Sequence, residues 1–216
     1  MKKTFLIGIL LSFFCLVSLA WSETDLKEII KQAESGDAKA QFDLGVMYGQ
    51  GQGVPQDYAE AMKWFKKAAY QGHAGAQFNL GIMYHYGQGV PKNYAEAMKW
   101  YRKAAEHGIA NAQNKLGVMY DNGQGVPQNY TEAMKWYRKA ADQGFADAQF
   151  LLGDMFFEGK GTPKNFIKAY VWWSLASANG KEYAKKALEI LSPQMTPQQI
   201  GQAQKEAAEL WERLNK

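Results

Sequence analysis

Histidine, cysteine and serine side chains could support metal binding or nucleophilic catalysis, but here they lack the patterns that such chemistry needs. His73, His85 and His107 are the three histidines, and no HExxH motif or other metal-ligand spacing connects them. Cys15 is the single cysteine, so neither a disulfide framework nor a cysteine-based zinc site is expected. We therefore predict no metal site and no cofactor.

A catalytic serine or a phosphate-binding loop is not indicated either. The sequence has no GxSxG elbow and no SxxK motif paired with KTG. The GQGQG run at 49–53 superficially resembles a phosphate loop, but it follows a helical pattern instead of a strand. A structural loop is the better interpretation. We predict that the protein has no catalytic residues and is not an enzyme.

Composition excludes several broad classes of protein. Hydrophobic residues make up 47% of the 216 residues and charged residues 21%, which is ordinary globular usage. A disordered chain, a collagen-like chain and a multi-span membrane protein are therefore excluded. The net charge of +4 is too small for a dedicated nucleic-acid-binding protein.

The N-terminus has the pattern of a secretory signal peptide. Lys2 and Lys3 precede an apolar, uncharged stretch over 5–19, and Ser18 and Ala20 supply small residues for cleavage. We predict a signal peptide over 1–20, cleaved after Ala20, which makes the protein periplasmic or secreted, with no integral membrane span in the mature chain. An uncleaved membrane anchor is the alternative, because the apolar stretch is slightly long for a signal and short for a span.

A 36-residue repeat governs the rest of the chain. Trp64, Trp100, Trp136 and Trp172 are spaced 36 residues apart, and a proline and several glycines recur with the same spacing. Dividing the sequence into units 37–72, 73–108, 109–144 and 145–180 gives 13 of 36 positions that are identical in all four. Such a period indicates a stack of repeated supersecondary units.

Each unit has the pattern of two helices, here named helix A and helix B. In the first unit Ala40, Leu44 and Tyr48 share one face of helix A, and Gly51 and Gly53 end it. Helix B follows, with inward residues Ala61, Trp64, Phe65 and Ala68. One such pair cannot bury its own apolar face. The sequence therefore predicts an all-α solenoid.

The two ends of the repeat array are expected to be capped. We predict an N-terminal capping helix over 21–36 and C-terminal capping helices over 181–216. In the fourth unit Val171 and Leu175 replace lysines that the other units carry at the same positions of helix B. Because these two positions share one helix face, we expect the C-terminal helix to cover them.

The units resemble a known family. Segments such as AQFNLGIMYHYGQGVPKNYAEAMKWYRKAAEHG are similar to Sel1-like repeats, relatives of the tetratricopeptide repeat, and AYVWWSLASANG followed by MTPQQIGQAQKEAAELW resembles the closing segment of secreted or envelope bacterial members. The resemblance covers about residues 24–215. It implies a right-handed superhelical solenoid from a bacterium that binds other proteins.

The resemblance also leaves alternatives open. Some cysteine-rich Sel1-like proteins are associated with penicillin binding or weak β-lactamase activity. This chain lacks the paired cysteines of their repeats, so that activity is kept only as an alternative. Binding to the cell wall or to polysaccharide, through the aromatic residues and the basic outer face of helix B, is another.

In this repeat class helix A lines the concave face, which we predict to bind a protein or peptide partner. The candidate residues are mostly at positions that vary between units: Lys39, Asp43, Gln50, Asn79, Tyr86, Asn111, Lys115, Asn122, Asp147, Leu151 and Glu158. Met83 and Met119 belong to a methionine row beside them. That row suits adaptable peptide contacts, although a position in the core is the preferred interpretation of the methionines.

Basic residues recur on the outer face of helix B and form a second candidate surface. This basic ridge comprises Lys63, Lys66, Lys67, Lys99, Arg102, Lys103, Lys135, Arg138 and Lys139. Attraction to anionic envelope polymers is one interpretation. A solvated outer face, partly paired with Glu60, Glu96 and Glu132 one turn earlier, is the preferred one.

Overall fold

The structure is a stack of antiparallel helix pairs. A computed structural model describes residues 23–215, with side chains from residue 26 onward. The helices are α1 (Glu23–Glu34), α2 (Ala38–Gln50), α3 (Tyr58–Tyr70), α4 (Ala74–Tyr86), α5 (Tyr94–Glu106), α6 (Ala110–Asn122), α7 (Tyr130–Ala141), α8 (Ala146–Glu158), α9 (Phe166–Ala178), α10 (Glu182–Leu191) and α11 (Pro197–Leu214). The predicted signal peptide over 1–20 lies outside the described residues.

The even-numbered helices α2 to α8 are the four A helices, and the odd-numbered helices α3 to α9 are the four B helices. Each A helix packs against the B helix of its own unit, and that B helix packs against the next A helix. Residues 23–215 contain no β-strand. The predicted all-α solenoid is confirmed.

The loops between helices A and B repeat the same backbone turn. Gly51 ends α2 with a φ of 70°, and Gly53 follows with a φ of 72°. Glycine adopts this left-handed conformation without the steric cost that a side chain incurs. Asp57 then caps α3, since its side chain accepts hydrogen bonds from the backbone N–H groups of Ala59 and Glu60.

Close approach of the two helices in each unit depends on a glycine in helix A. Gly45 faces the ring of Phe65, and a Cβ atom added to Gly45 would lie 2.7 Å from two carbons of that ring. Gly81, Gly117 and Gly153 face Tyr101, Tyr137 and Trp173 in the same way. One aromatic side chain of each B helix therefore fills the space that the glycine leaves.

A buried glutamine joins successive units. The Nε2 atom of Gln41 donates to the carbonyl of Ala33 at 3.1 Å, and its Oε1 atom accepts from Gln71 at 2.8 Å. Gln113 and Gln149 make both types of bond at the corresponding positions. In the second unit Gln77 makes the first bond only, because His107 stands where the other units have Gln or Asn.

The ends of the array are covered by helices outside the four pairs. The N-terminal helix α1 packs on α2, and α10 packs on α9. The last helix, α11, also lies against α9, where Val171 is 5% exposed and Leu175 is 1% exposed. Ala203 and Ala207 of α11 belong to the same core cluster. The expected cover over the two apolar substitutions is present.

Candidate functional site

The predicted concave-face residues differ in how much they are exposed. Six are exposed, namely Lys39, Gln50, Tyr86, Asn111, Asn122 and Glu158. Five are half-buried, namely Asp43, Asn79, Lys115, Asp147 and Leu151. These eleven side chains all lie on the A helices or at their ends and follow the face that varies between units.

The methionine row belongs to the core. Met83 is 3% exposed and Met119 is 0% exposed, and each lies in a cluster of buried alanine and leucine side chains. As a surface assignment Met119 is therefore wrong, and Met83 reaches the surface only where it lines the cleft described below. The preferred interpretation of the row as core packing is correct, because the apolar side chain fills the space between A and B helices.

Internal contacts already engage both ends of the predicted face. At the first unit Lys39 pairs with Asp43 at 2.6 Å. At the fourth, Asp147 pairs with Lys181 and accepts a hydrogen bond from the hydroxyl of Tyr183 at 2.8 Å. Burial alone would raise the pKa of Asp147, but the bonds from Lys181 and Tyr183 outweigh it, so the pKa is lowered. The middle of the face is the part left for a partner.

A cleft of about 180 Å³ lies between the A helices of the first two units. Val46, Gly49 and Gln50 of α2 form one wall, and Asn79 and Ile82 of α4 are among the residues of the other. Phe65 of α3 also lines this cleft, together with Tyr58, Ala61, Met83 and Gln88. Of the predicted contact residues, Gln50, Asn79 and Met83 therefore line the first cleft, whose walls are largely apolar.

The corresponding place one unit later, here named the α4–α6 site, has different chemistry. It comprises His85, Tyr86, Tyr94, Tyr101, Lys115 and Gln124, of which His85, Tyr94, Tyr101 and Gln124 occupy the repeat positions of Gly49, Tyr58, Phe65 and Gln88. The ring of His85 lies 5.1 Å from that of Tyr94 and 6.1 Å from that of Tyr101, measured between centroids. Two predicted residues, Tyr86 and Lys115, belong to this site.

Three buried polar atoms of the α4–α6 site have no hydrogen-bond partner in the described chain. They are the hydroxyl of Tyr101, the Nδ1 atom of His85 and the Oε1 atom of Gln124. Burial raises the pKa of Tyr101, whose side chain is 0% exposed. Burial, with the charges of Lys115 and Lys92, lowers the pKa of His85. Native proteins pair nearly all of their buried polar groups, so such a cluster is uncommon.

The next place along the array, here named the α6–α8 site, is acidic. It comprises Asp121, Tyr137, Asp154 and Lys160. The hydroxyl of Tyr137 donates to the Oδ2 atom of Asp121 at 3.4 Å, and the indole N–H of Trp173 donates to Asp154 at 3.0 Å. Burial raises the pKa of Asp154 to about 6, and the nearby Glu158 charge acts in the same direction.

Side chains of the basic ridge have partners within the molecule. Lys63 and Lys99 pair with glutamates one turn earlier at 3.1 and 3.5 Å, as expected. The ammonium groups of Lys67, Lys103 and Lys139 lie over the rings of Trp64, Trp100 and Trp136 at 4.0, 4.6 and 4.3 Å from the centroids. These contacts shield buried tryptophans and offset part of the ridge charge.

Sequence reasoning missed His85, Tyr101, Asp121, Tyr137 and Asp154. A signal was present, since the repeat position of His85 and Asp121 holds Gly, His, Asp and Phe in the four units. That variation resembles the variation by which the other columns were chosen. The tyrosines gave no such signal, because an aromatic residue at their position is simply part of the repeat.

The described residues offer no metal centre and no membrane span. Residues 23–215 hold no group of three or more His, Cys, Asp or Glu side chains that could bind a metal ion. Within the same range, no helix is long and apolar enough to cross a membrane. The repeated frame thus carries apolar walls, unpaired hydrogen-bonding groups and half-buried carboxylates along one face.

Comparison with known proteins identifies relatives with the same repeat. Over 69 residues the chain is 45% identical to the secretory immunoglobulin A-binding protein EsiB of Escherichia coli, a match that covers 32% of this chain and 14% of that protein. The chain also matches the crystal structure of a protective antigen present in uropathogenic Escherichia coli strains, which displays an SLR fold. The TM-score is 0.72 and the sequence identity 44%, and the match covers 74% of this chain and 34% of that one. A Sel1 repeat protein from Oxalobacter formigenes matches with a TM-score of 0.71 and 39% identity over 76% and 66%.

The chain thus spans 14% of the length of the curated relative that it matches. The model of the Sel1 repeat matches residues 38–73, 74–109, 110–145 and 146–181, one residue later than the predicted unit boundaries. Four consecutive matches on four stacked helix pairs show that the chain belongs to the Sel1 repeat family, whose members are commonly protein–protein interaction scaffolds.

Proposed function

We propose that the protein is a non-catalytic scaffold that binds a protein or peptide partner through the face formed by its A helices. The observation that carries the proposal is the change of chemistry along one rigid frame. The first cleft has largely apolar walls, the α4–α6 site holds unpaired hydrogen-bonding groups, and the α6–α8 site is acidic. Stacked repeats whose side chains vary along one face form the extended recognition surfaces of solenoid proteins.

We further propose that this binding occurs in the periplasm or outside the cell, after removal of residues 1–20. Support comes from the charged and apolar pattern of that segment. The relative named for binding secretory immunoglobulin A suggests one extracellular partner to include among the probes. A partner in the bacterial envelope is the other, and both are tested in the same experiment.

Affinity capture with two matched variants tests the proposal. The full chain is immobilised and exposed to an envelope extract and, separately, to secretory immunoglobulin A, and retained proteins are identified by mass spectrometry. The face variant replaces Asn79, Tyr86, Lys115 and Asn122 with alanine. The control variant replaces Lys63, Lys99 and Lys135 with alanine on the opposite side of the helix pairs, and thermal unfolding verifies that both variants fold.

The outcomes separate the two surfaces. A protein retained by the native chain and by the control variant, but lost from the face variant, supports the scaffold. Loss from the control variant alone would place binding on the basic ridge and contradict the proposal. Repeating the capture at higher salt tests the electrostatic interpretation of the ridge, because binding through its positive charges should weaken as the salt concentration rises.

A further inference from the structure

The first cleft lies where one unit lacks a side chain that the other units have. Gly49 lines the cleft, and a Cβ atom added to it would meet only the Cβ atom of Ala61, at 3.8 Å. The three later units carry His85, Asp121 and Phe157 at this repeat position. The first unit therefore leaves open to a partner a place that the chain itself occupies with a side chain in the later units.

The fourth unit shows which kind of group this place accommodates. There the ring of Phe157 lies 5.6 Å from the ring of Phe166 and 5.3 Å from that of Trp173, measured between centroids. Phe166 and Trp173 occupy the repeat positions of Tyr58 and Phe65, and those two side chains line the first cleft. Both distances are ordinary for aromatic pairs that attract each other.

The second unit repeats the arrangement with a different ring. His85 contacts the rings of Tyr94 and Tyr101 at 5.1 and 6.1 Å. These two tyrosines again stand at the repeat positions of Tyr58 and Phe65. In two units of the same frame, a ring from helix A thus packs on the aromatic pair of helix B.

The first cleft has the volume, the charge and the access that an incoming ring needs. Its volume is about 180 Å³, and an apolar protein cavity of roughly 150 Å³ is enough to hold benzene. None of its ten lining residues is charged, so a charged side chain would enter without a counter-ion, which is costly. Tyr58 is 36% exposed, whereas its equivalents Tyr94 and Phe166 are half-buried. The aromatic wall is therefore within reach from solvent.

We propose that the first cleft binds one aromatic side chain of the partner, which packs on Tyr58 and Phe65 as Phe157 packs on the equivalent pair in the fourth unit. The contact buries apolar surface and adds the attraction between aromatic rings. The inference rests on the proposed function, since it names the chemistry of one group in the bound peptide.

A random dodecapeptide library provides the probe, and two substitutions of glycine by phenylalanine provide the variants. Gly49→Phe places a ring in the first cleft from the chain itself, as the fourth unit does with Phe157. Gly201→Phe is the matched control, because Gly201 lies in α11, is exposed, and an added Cβ atom would meet no neighbouring group within 4 Å. Thermal unfolding verifies that both variants fold.

We expect the native chain to select peptides with an aromatic residue at one fixed position. Gly49→Phe should weaken binding of a selected peptide at least about tenfold, the lower end of the loss expected for one buried aromatic side chain. Gly201→Phe should leave binding unchanged. Replacing the aromatic residue of the peptide with alanine should weaken binding to the native chain but have no further effect with Gly49→Phe, because both changes remove the same contact.

The stability of the two variants provides a second readout that needs no peptide. Both replace glycine with phenylalanine inside a helix, so their gain in helix propensity is similar. A ring that packs on Tyr58 and Phe65 should therefore give Gly49→Phe the higher melting temperature. A melting temperature equal to or below that of Gly201→Phe would mean that the cleft does not accommodate a ring, and would overturn the inference.

Two peptide results would also overturn the inference, and they differ in what they leave standing. Selected peptides without a preferred aromatic residue, or equal binding by the native chain and Gly49→Phe, would remove the aromatic site and leave the peptide-binding scaffold intact. Failure of the native chain to select any peptide would overturn the site together with peptide binding by the A-helix face.

Discussion

Two Gly→Ala substitutions in the same helix test how the units are held together. Gly45 and Gly49 both lie in α2, one turn apart. A Cβ atom on Gly45 would lie 2.7 Å from the ring of Phe65, which is 5% exposed, so the ring or the helix must shift to admit it. A Cβ atom on Gly49 would meet only the Cβ atom of Ala61, at an ordinary contact distance of 3.8 Å.

The two substitutions should have opposite effects on the free energy of unfolding. Replacing glycine with alanine inside a helix stabilises a protein by about 1 kcal/mol. Overpacking a core costs about 1–3 kcal/mol, and a distance of 2.7 Å places Gly45→Ala near the upper end of that range. We therefore expect Gly45→Ala to destabilise the protein by about 2 kcal/mol and Gly49→Ala to stabilise it by about 1 kcal/mol.

Urea unfolding followed by far-UV circular dichroism measures both changes, with the slope of the transition checked because repeat arrays do not always unfold in two states. A double variant with Phe65→Leu supplies the control. The smaller side chain makes room for the new methyl group, so Gly45→Ala should cost less in that background than in the native one. Equal stability of Gly45→Ala and Gly49→Ala would refute the close packing of glycine and aromatic ring.

Three further substitutions test individual contacts. His107→Gln should supply the missing donor to the buried Oε1 atom of Gln77 and stabilise the protein by about 1 kcal/mol; an unchanged melting temperature would contradict the glutamine bridge between units. In the same thermal unfolding assay, Tyr101→Phe should leave stability unchanged or raise it, because the lost hydroxyl has no partner. Tyr137→Phe should lower stability, because it removes the hydrogen bond to Asp121. The reverse order would contradict the assignment of partners. The pKa of Asp154 is raised from 3.8 to about 6, so the folded state binds the proton more tightly than the unfolded state. The folded state is therefore more stable when Asp154 is protonated, and this stability is lost as the pH rises through 6. Asp154→Asn should therefore be more stable than the native chain by about 1–2 kcal/mol near pH 8, a figure reduced for solvent screening. The difference should disappear near pH 4. A difference in stability that does not depend on pH would contradict the raised pKa.

Much of the fold could be predicted from the sequence, because the repeat shows the same local signals four times. The spacing of the tryptophans defined the helix pairs, and the paired glycines such as Gly51 and Gly53 predicted the turns. The apolar residues Val171 and Leu175 predicted that a helix covers the last unit. In each case residues close together in sequence carry the information, and stacking follows from their apolar faces.

The α4–α6 site could not be predicted in the same way. His85, Tyr101 and Gln124 stand at three different repeat positions and come from two units. Only packing across the unit boundary brings them to one place, and nothing in the sequence shows that their polar atoms lack partners. The bridge formed by Gln41 and Gln71 escaped prediction for the same reason, although Gln41 is one of the positions identical in every unit.

The central claim is that a partner binds to the face formed by the A helices. Hydrogen exchange measured by mass spectrometry, on the full chain with and without a saturating amount of a partner captured as described above, tests it most directly. We expect slower amide exchange in α4 and α6, with little change in the outer helices α5 and α7. Protection confined to α3, α5 and α7, where the basic ridge lies, would rule out binding at the A-helix face.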